Sequence, residues 1–332
     1  MLQFDFRRLH NQGEKADAAT ELVKKARELA KSSNRLAVEF LVDTVGVAVT
    51  STRNEAYFAD ALNYMCAHIF AHANMPKEAA AAMAAAQVLP GSGGDALFHD
   101  AVAEGVALAH AQDKAIAHGA PAIVLASMPR AASAALTQTL AEITHCPVFR
   151  VSLGWFPNYW LVPVWLRRFL RGGGILHDHF GASDFNLAAL RDCGITRVNL
   201  LVRDPRAAVA SYAKFVFGNV TADELYQFYQ EYYIPWLRGW LDAEQRGEIT
   251  VHWIRSSDVT SGAERLREVL ASILGKAGQK RFAASIARSK LVSANFSAGD
   301  PDAWRRSTSP ELRKKMWELL PSDVVDRLEL RP

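Results

Sequence analysis

Cysteine is scarce in this sequence, and so is an excess of charge of either sign. The three cysteines, Cys66, Cys146 and Cys193, are widely separated and include no CxxC pair. Neither a zinc site nor a disulfide framework is therefore predicted, and a reducing compartment is the simplest interpretation. The 38 lysines and arginines barely outnumber the 35 acidic residues, which argues against nucleic acid binding but leaves room for a local basic pocket.

Long apolar runs are also absent. The N-terminus is charged from Asp5 onward and lacks the apolar core of a secretory signal. The longest aromatic and apolar stretch without a charge, residues 151–166, is interrupted by Pro157 and Pro163 and is shorter than the roughly 20 residues that cross a bilayer. We therefore expect a cytoplasmic protein with no transmembrane segment.

What the sequence does contain is a large share of hydrophobic residues, 50% of 332, which excludes a disordered or collagen-like chain. Residues 1–118 show only helical periodicity, with Leu22, Val23 and Ala26 on one face of the first segment. Paired Ala-rich helices are typical of tetratricopeptide-like domains, but no clean repeat of about 34 residues is present. We predict an all-helical domain over 1–118, either a plain bundle or a tetratricopeptide-like array.

The pattern changes at Gly119, after which short apolar runs alternate with helical segments. The runs are residues 122–127, 175–179, 196–203 and 248–255. Such runs are typical of buried parallel strands, and their alternation with helices indicates an α/β fold. We predict that residues 119–332 form an α/β domain with a P-loop-like parallel sheet flanked by helices.

Residues 129–134 (PRAASA) connect the first of these strands to a helix, an arrangement typical of a phosphate-binding loop. The backbone N–H groups of such a turn and the positive end of the helix attract an anion, and Arg130 lies at the mouth of the loop. The Walker A pattern GxxxxGK[ST] is absent, which disfavours ATP or GTP hydrolysis. An ordinary strand-to-helix turn is the alternative interpretation.

A second motif follows the strand at 196–203. Arg203 ends this strand, and Ser211 lies eight residues further on, about two turns along the next helix. The spacing predicts that both side chains converge on one phosphate.

The two motifs together resemble those of the sulfotransferases that use 3′-phosphoadenosine 5′-phosphosulfate (PAPS). Residues 129–134 are similar to their 5′-phosphosulfate loop, which commonly reads PKSGTTW or PRSGT, and Arg203 and Ser211 match their 3′-phosphate motif in type and spacing. The resemblance covers residues 121–320 and implies that both motifs bind PAPS and its product, adenosine 3′,5′-bisphosphate (PAP). The loop residues so implied are Arg130, Ala131, Ala132, Ser133, Ala134 and Ala135.

Two further segments occur in the order that the resemblance implies. His179, at the end of the run LHDH, matches the histidine that acts as catalytic base in this family, and Arg130 is implied to stabilise the leaving group. Near the C-terminus, residues 298–306 resemble the family's Gly-x-x-x-x-Trp-Arg closing segment, which implies nucleotide contacts for Trp304 and Arg305.

The implied reaction is an in-line sulfuryl transfer that requires no metal. We expect the side chains of His177 and His179 to point to opposite faces of their strand, which makes them a poor metal pair. Asp178 and His177 are fallback candidates for the base. A hydrogen-bonded structural histidine is the alternative interpretation of His179.

The loop departs from the family pattern at three positions. Ala132 stands where the family has glycine, and Ala131 and Ala134 replace hydroxyl residues. Glycine allows close approach of backbone and anion, and each lost hydroxyl hydrogen bond costs about 1 kcal/mol. A catalytically silent relative that binds a protein partner through its helical domain is therefore an alternative function. A small-molecule kinase is a third hypothesis, although the loop has no lysine.

Residues 154–171 combine tryptophans and prolines with Arg167, Arg168 and Arg171. Three hypotheses fit this composition: a wall that binds a carbohydrate or lipid-linked acceptor, a patch that contacts a membrane surface peripherally, and a helix packed on the sheet with a solvated basic face. The wall hypothesis favours a carbohydrate acceptor over a phenol or a peptide tyrosine.

Overall fold

The computed structural model describes residues 12–45, 55–86, 105–149, 151–153, 156–157, 159–161, 166–167, 169–289 and 303–332. The chain divides into two compact units, Met1–Leu108 with Ser152–Trp160, and Ala109–Val151 with Leu161–Pro332. Among the described helices, none is both long enough and apolar enough to cross a bilayer.

The first unit consists mainly of helices that follow one another along the chain. They are α1 (Gln12–Ala30), α2 (Asn34–Val45), α3 (Glu55–His72) and α4 (Pro76–Ala86). Each packs against the next, and α1 buries Leu22, Val23 and Ala26, the stripe that its periodicity predicts. The N-terminal part of the chain is helical, as predicted.

A five-stranded parallel sheet organises the second unit, which confirms the predicted α/β fold. Its strands are β1 (Ala122–Ser127), β2 (Val148–Phe149), β5 (Gly174–Asp178), β6 (Arg197–Val202) and β7 (Thr250–Arg255). Their spatial order is β2–β5–β1–β6–β7. Two short strands, β3 (Ser152–Leu153) and β4 (Trp160–Leu161), pair with each other outside this sheet.

Helices connect these strands and close the C-terminal part of the chain. From residue 105 onward they are α5 (Gly105–Ala117), α6 (Ser133–Thr144), α7 (Asp184–Asp192), α8 (Pro205–Val216), α9 (Ala222–Phe228), α10 (Ile234–Gln245), α11 (Ser256–Thr260), α12 (Ala263–Arg288), α13 (Ala303–Ser307), α14 (Pro310–Glu318) and α15 (Ser322–Leu328). A π-helical turn, Tyr229–Tyr233, joins α9 to α10. The backbone of α12 leaves helical geometry at Gly275, whose φ is +64°.

The strand order places the carboxyl ends of β5, β1 and β6 side by side. Leu125 of β1 lies opposite both His177 of β5 and Asn199 of β6. From β1 the chain runs to β2 and β5 on one side and then crosses to β6 and β7 on the other. Open parallel sheets bind ligands at the carboxyl ends of the strands where the direction of winding reverses, so the ends of these three strands define the candidate site.

Candidate anion-binding and catalytic site

The loop after β1 turns sharply through two left-handed residues. The Met128 amide donates a hydrogen bond to the Leu201 carbonyl (2.9 Å), which ties the start of the loop to β6. Arg130 and Ala132 then adopt φ values of +66° and +67°, a conformation that costs a residue with a side chain roughly 1–2 kcal/mol. Backbone strain of this kind clusters at binding sites, so the loop is a candidate for one.

The amino end of α6 lacks a side-chain cap. Ala132 occupies the N-cap position and makes no capping hydrogen bond, and the first helical bond runs from the Leu136 amide to the Ala132 carbonyl (3.2 Å). The amides of Ser133, Ala134 and Ala135 precede that bond and have no partner inside the helix. Such amides, together with the helix dipole, bind anions.

The structure brings this loop and the second predicted motif together. Arg130 Nε donates to Ser211 Oγ (3.1 Å), although the two residues are 81 positions apart in the chain. The Arg203 guanidinium donates to the carbonyl oxygen of Arg130 (3.4 Å). The two motifs therefore form one cluster of hydrogen-bond donors at the carboxyl edge of the sheet.

Neither arginine of this cluster forms an ion pair with a carboxylate in the described part of the chain. Asp204 follows Arg203 directly, but both of its carboxylate oxygens accept hydrogen bonds from Arg206 (3.0 and 2.9 Å). Burial lowers the pKa of the Arg203 guanidinium; Asp204 opposes this shift and the charge of Arg130 adds to it. Two neighbouring cations without a paired carboxylate create a field that favours an anionic ligand.

Phe215 belongs to this cluster, and sequence reasoning missed it. Its side chain is 73% exposed, and the Arg130 guanidinium lies over its ring at 4.9 Å from the centroid. Phe215 follows Ser211 by one turn of α8, so the i, i+4 spacing was the signal present in the sequence.

His177 of β5 and His179, which directly follows this strand, both face Ser127 of β1, so the expectation that they point to opposite faces is wrong. Side chains alternate along a strand, and residues two positions apart therefore share a face. The Ser127 hydroxyl is 3.0 Å from both His177 Nε2 and His179 Nδ1, which are hydrogen-bond distances. Among the described residues, no group of three or more His, Cys, Asp or Glu side chains could hold a metal ion.

The backbone of His179 is held from two sides. Its amide donates to Asp178 Oδ1 (2.9 Å), and its carbonyl accepts from Trp236 Nε1 of α10 (3.0 Å). Gly181 allows Trp236 to approach, because a Cβ at that position would lie 3.0 Å from the indole ring. Asp178, the fallback candidate for the base, is buried, and its carboxylate helps to hold this backbone.

The structure places Trp304 and Arg305 among contacts near the C-terminus. Trp304 is buried, and its ring packs against the guanidinium groups of Arg206 (5.0 Å) and Arg305 (5.2 Å). Arg305 also donates to the Pro332 carbonyl (2.9 Å). The nucleotide contacts implied for Trp304 and Arg305 stay predictions, and residues 298–302 of the same segment lie outside the described residues.

The aromatic segment is described in part. Its members outside the described residues include Trp155, Trp165 and Arg168. Phe156 and Trp160 are buried, and Arg171 pairs with Asp113 on the surface (3.4 Å). The described aromatic side chains therefore contribute to packing, and the acceptor wall stays a prediction.

Comparisons with protein-family models, with curated proteins and with solved structures found no match for this chain. Inference about its function therefore depends on the chemistry and geometry of the site.

Proposed function

We propose that the chain is a sulfotransferase that uses PAPS and transfers its sulfuryl group to an acceptor hydroxyl. The hydrogen bond between Arg130 and Ser211 supports this most, because it joins the loop that resembles a 5′-phosphosulfate loop to the motif that resembles a 3′-phosphate motif. His179 follows the strand next to β1, at the same edge of the sheet. A proton acceptor beside a cluster of anion-binding groups meets the needs of sulfuryl transfer to a hydroxyl.

The groups around the loop fit a nucleotide with anions at both ends. The first-turn amides of α6, the guanidinium groups of Arg130 and Arg203 and the hydroxyl of Ser211 are all hydrogen-bond donors. We assign the 5′-phosphosulfate to Arg130 and the amides of residues 132–135, and the 3′-phosphate to Arg203 and Ser211. The Ala131 amide, which the resemblance also implied, donates to the Met128 carbonyl instead (3.3 Å). When bound, PAPS supplies a sulfuryl group whose bond to the 5′-phosphate breaks as the acceptor oxygen bonds to sulfur.

His179 is the proposed base. Its Nδ1 atom lies 2.8 Å from the Ser127 carbonyl oxygen, and since this oxygen can only accept, Nδ1 carries a proton and Nε2 of the neutral ring has the lone pair. Nε2 takes the proton of the acceptor hydroxyl. Arg130 and the helix N-terminus stabilise the negative charge that develops on the leaving phosphate.

A carbohydrate is the acceptor class that we propose to assay first. The sequence of residues 154–165, with its tryptophans and tyrosine, supports this choice, because aromatic faces stack on sugar rings. Release of PAP from PAPS in the presence of pooled carbohydrates, compared with pooled phenols, measures the preference. The His179→Ala variant is expected to lose this release and to keep its affinity for PAP.

Calorimetric titration with PAP tests the nucleotide site without knowledge of the acceptor. We expect micromolar binding by the wild type and about 30-fold weaker binding by Arg203→Ala, since a charge-assisted hydrogen bond contributes about 2 kcal/mol. Arg191→Ala is the matched control, because Arg191 is an exposed arginine in the last turn of α7, a helix that runs away from the carboxyl edge of the sheet.

Absence of binding by the wild type would refute the sulfotransferase proposal. The alternative would then be a catalytically silent relative, and the helical unit would be the part to test for a protein partner. Equal weakening by Arg191→Ala and Arg203→Ala would show non-specific attraction of the nucleotide to positive charge.

A further inference from the structure

The hydroxyl of Ser127 connects the proposed base to a second histidine. Ser127 is fully buried, and its Oγ atom lies 3.0 Å from His179 Nδ1 and 3.0 Å from His177 Nε2. The pairing of β1 with β5 places Leu125 opposite His177, so that Ser127, two residues further on, meets His179. A hydroxyl has one proton to donate and two lone pairs, so Ser127 can accept a hydrogen bond from one histidine and donate one to the other.

The carbonyl of Ser127 decides that direction. His179 Nδ1 donates to this carbonyl at 2.8 Å, and its proton therefore also faces Ser127 Oγ. The hydroxyl oxygen accepts from His179, and its own proton is available to His177 Nε2 when the His177 ring is protonated at Nδ1. In that tautomer the order of donation is His179 to Ser127 to His177.

We propose that Ser127 and His177 are positioning residues that stabilise His179 as it becomes protonated. The inference rests on the proposed function for the role of His179 as base. The acceptor hydroxyl gives its proton to His179 Nε2, and its oxygen keeps the electron pair that forms the bond to sulfur. The Nδ1 proton stays on the ring, where the Ser127 carbonyl and hydroxyl oxygens both face it. His177 holds the hydroxyl proton away from His179, so that a lone pair faces the cation.

A third histidine, His252, has a different environment. His252 of β7 contacts Asn199 Oδ1 through Nδ1 (2.9 Å), and Asn199 Nδ2 donates to the Val124 carbonyl (3.0 Å). Burial lowers the pKa of His252, and the charge of Arg197 lowers it further. The surroundings of His252 therefore disfavour its cationic form, which makes it a matched control for His179.

The described contacts of His179 include groups from three elements. Asp178 and His177 belong to β5, and the His177 ring centroid lies 5.6 Å from that of His179. From β1 the neighbour is Ser127, and from α10 it is Trp236, which carries no charge. We expect Ser127→Ala to lower the pKa of His179 by about one unit, because a cation loses one hydrogen-bond acceptor. Ser127→Thr keeps a hydroxyl and is expected to retain the wild-type pKa.

The His177→Phe variant distinguishes an effect of the hydrogen bonds on the pKa of His179 from an effect of charge alone. Removal of a neighbouring group that can become positive would by itself raise the pKa of His179. Loss of the acceptor for the hydroxyl proton lets that proton turn toward His179, which lowers the pKa instead. The direction of the shift therefore distinguishes the two causes, and this variant also serves if Ser127→Ala fails to fold.

The measurement is a pH titration of the ligand-free full chain with ¹⁵N-labelled histidine, followed by NMR and assigned with His179→Gln. We expect protonated Nδ1 and unprotonated Nε2 in neutral His179, a lower pKa in Ser127→Ala and in His177→Phe, and no change in His252→Gln. An Nε2-protonated wild-type ring, or an unchanged pKa in both variants, would overturn the inference.

Calorimetry with PAP is expected to give wild-type affinity for Ser127→Ala. Because absent PAP binding by the wild type would refute the proposed function and leave the NMR result standing, the two failures are distinguishable.

Discussion

Two groups of arginines in the α/β unit differ in whether they are neutralised. Arg206 is 1% exposed, holds Asp204 through two hydrogen bonds and packs against Trp304 and Trp317 at 5.0 and 4.8 Å. Arg203, only three residues earlier, shares the loop cluster with Arg130, and no described carboxylate is paired with either. Removal of one partner from a buried ion pair is costly for the fold, whereas two neighbouring cations without a paired carboxylate create a field that favours an anion.

The largest change is expected in stability, on replacement of Arg206, the arginine that is paired with Asp204. Arg206→Ala removes both hydrogen bonds to Asp204, the bond to the Arg331 carbonyl (2.7 Å) and the packing between two tryptophan rings. We expect the free energy of unfolding to fall by about 3 kcal/mol or more, as for a broken buried ion pair. Urea denaturation followed by tryptophan fluorescence measures this change. A loss below about 1 kcal/mol would show that Arg206 is not a structural arginine.

The next largest effect is expected for Arg130, whose replacement should change ligand binding rather than stability. Arg130→Ala is expected to weaken PAP binding by about 30-fold, because a charge-assisted contact is lost. It is expected to change the free energy of unfolding by less than about 0.5 kcal/mol, because the side chain is exposed. Calorimetry and urea denaturation of the same preparation give both values. If stability falls while affinity is kept, the comparison between the two groups fails.

A smaller effect is expected from relief of strain in the loop. Ala132 has a φ of +67°, so Ala132→Gly is expected to raise the free energy of unfolding by about 1 kcal/mol and to tighten PAP binding. Ala134→Gly is the matched control, since it lies in the first turn of α6 and is expected to destabilise by up to about 1 kcal/mol. Thermal unfolding with and without PAP measures both. Equal destabilisation by the two variants would contradict the role of strain at Ala132.

The smallest effect concerns Phe215. Phe215→Leu removes the ring under the Arg130 guanidinium and is expected to weaken PAP binding about threefold, since an exposed cation–π contact contributes about 0.5–1 kcal/mol. Phe215→Tyr keeps an aromatic face and is expected to bind as the wild type does. Calorimetry compares the two variants. Tighter binding by Phe215→Leu would show that the ring competes with the ligand for Arg130.

Much of the α/β fold was predictable because its signals are local. The apolar run at 122–127 coincides with β1, and the run at 248–255 contains β7. The strands β1, β5 and β6 are buried along most of their length, and burial on both faces of a strand produces a continuous run of apolar residues. Within α12, helical geometry is interrupted at Gly275, whose φ of +64° is a conformation that favours glycine.

Part of the candidate site was also predictable. The spacing of Arg203 and Ser211 indicated that they lie two turns apart, because the length of a helix follows from its residue count. The contact of Ser211 with Arg130 depends on the adjacency of β1 and β6, and local periodicity does not specify strand order. The expectation that His177 and His179 point to opposite faces was wrong for another reason. Side chains of an extended chain repeat every two residues, so the sequence spacing already places both histidines on one face.

Propensity and periodicity act over a few neighbouring positions, so the sequence alone established the helical N-terminal part, the class of fold and four of the five strands of the sheet. The tertiary structure alone decided which arginines are neutralised and which histidine meets Ser127. Arg203 and Arg206 differ little in sequence context, yet Arg206 is buried against Trp304 and Trp317, about one hundred residues away. Burial and charge pairing are properties of long-range packing, and they distinguish the buried, paired Arg206 from Arg203, for which we propose a ligand.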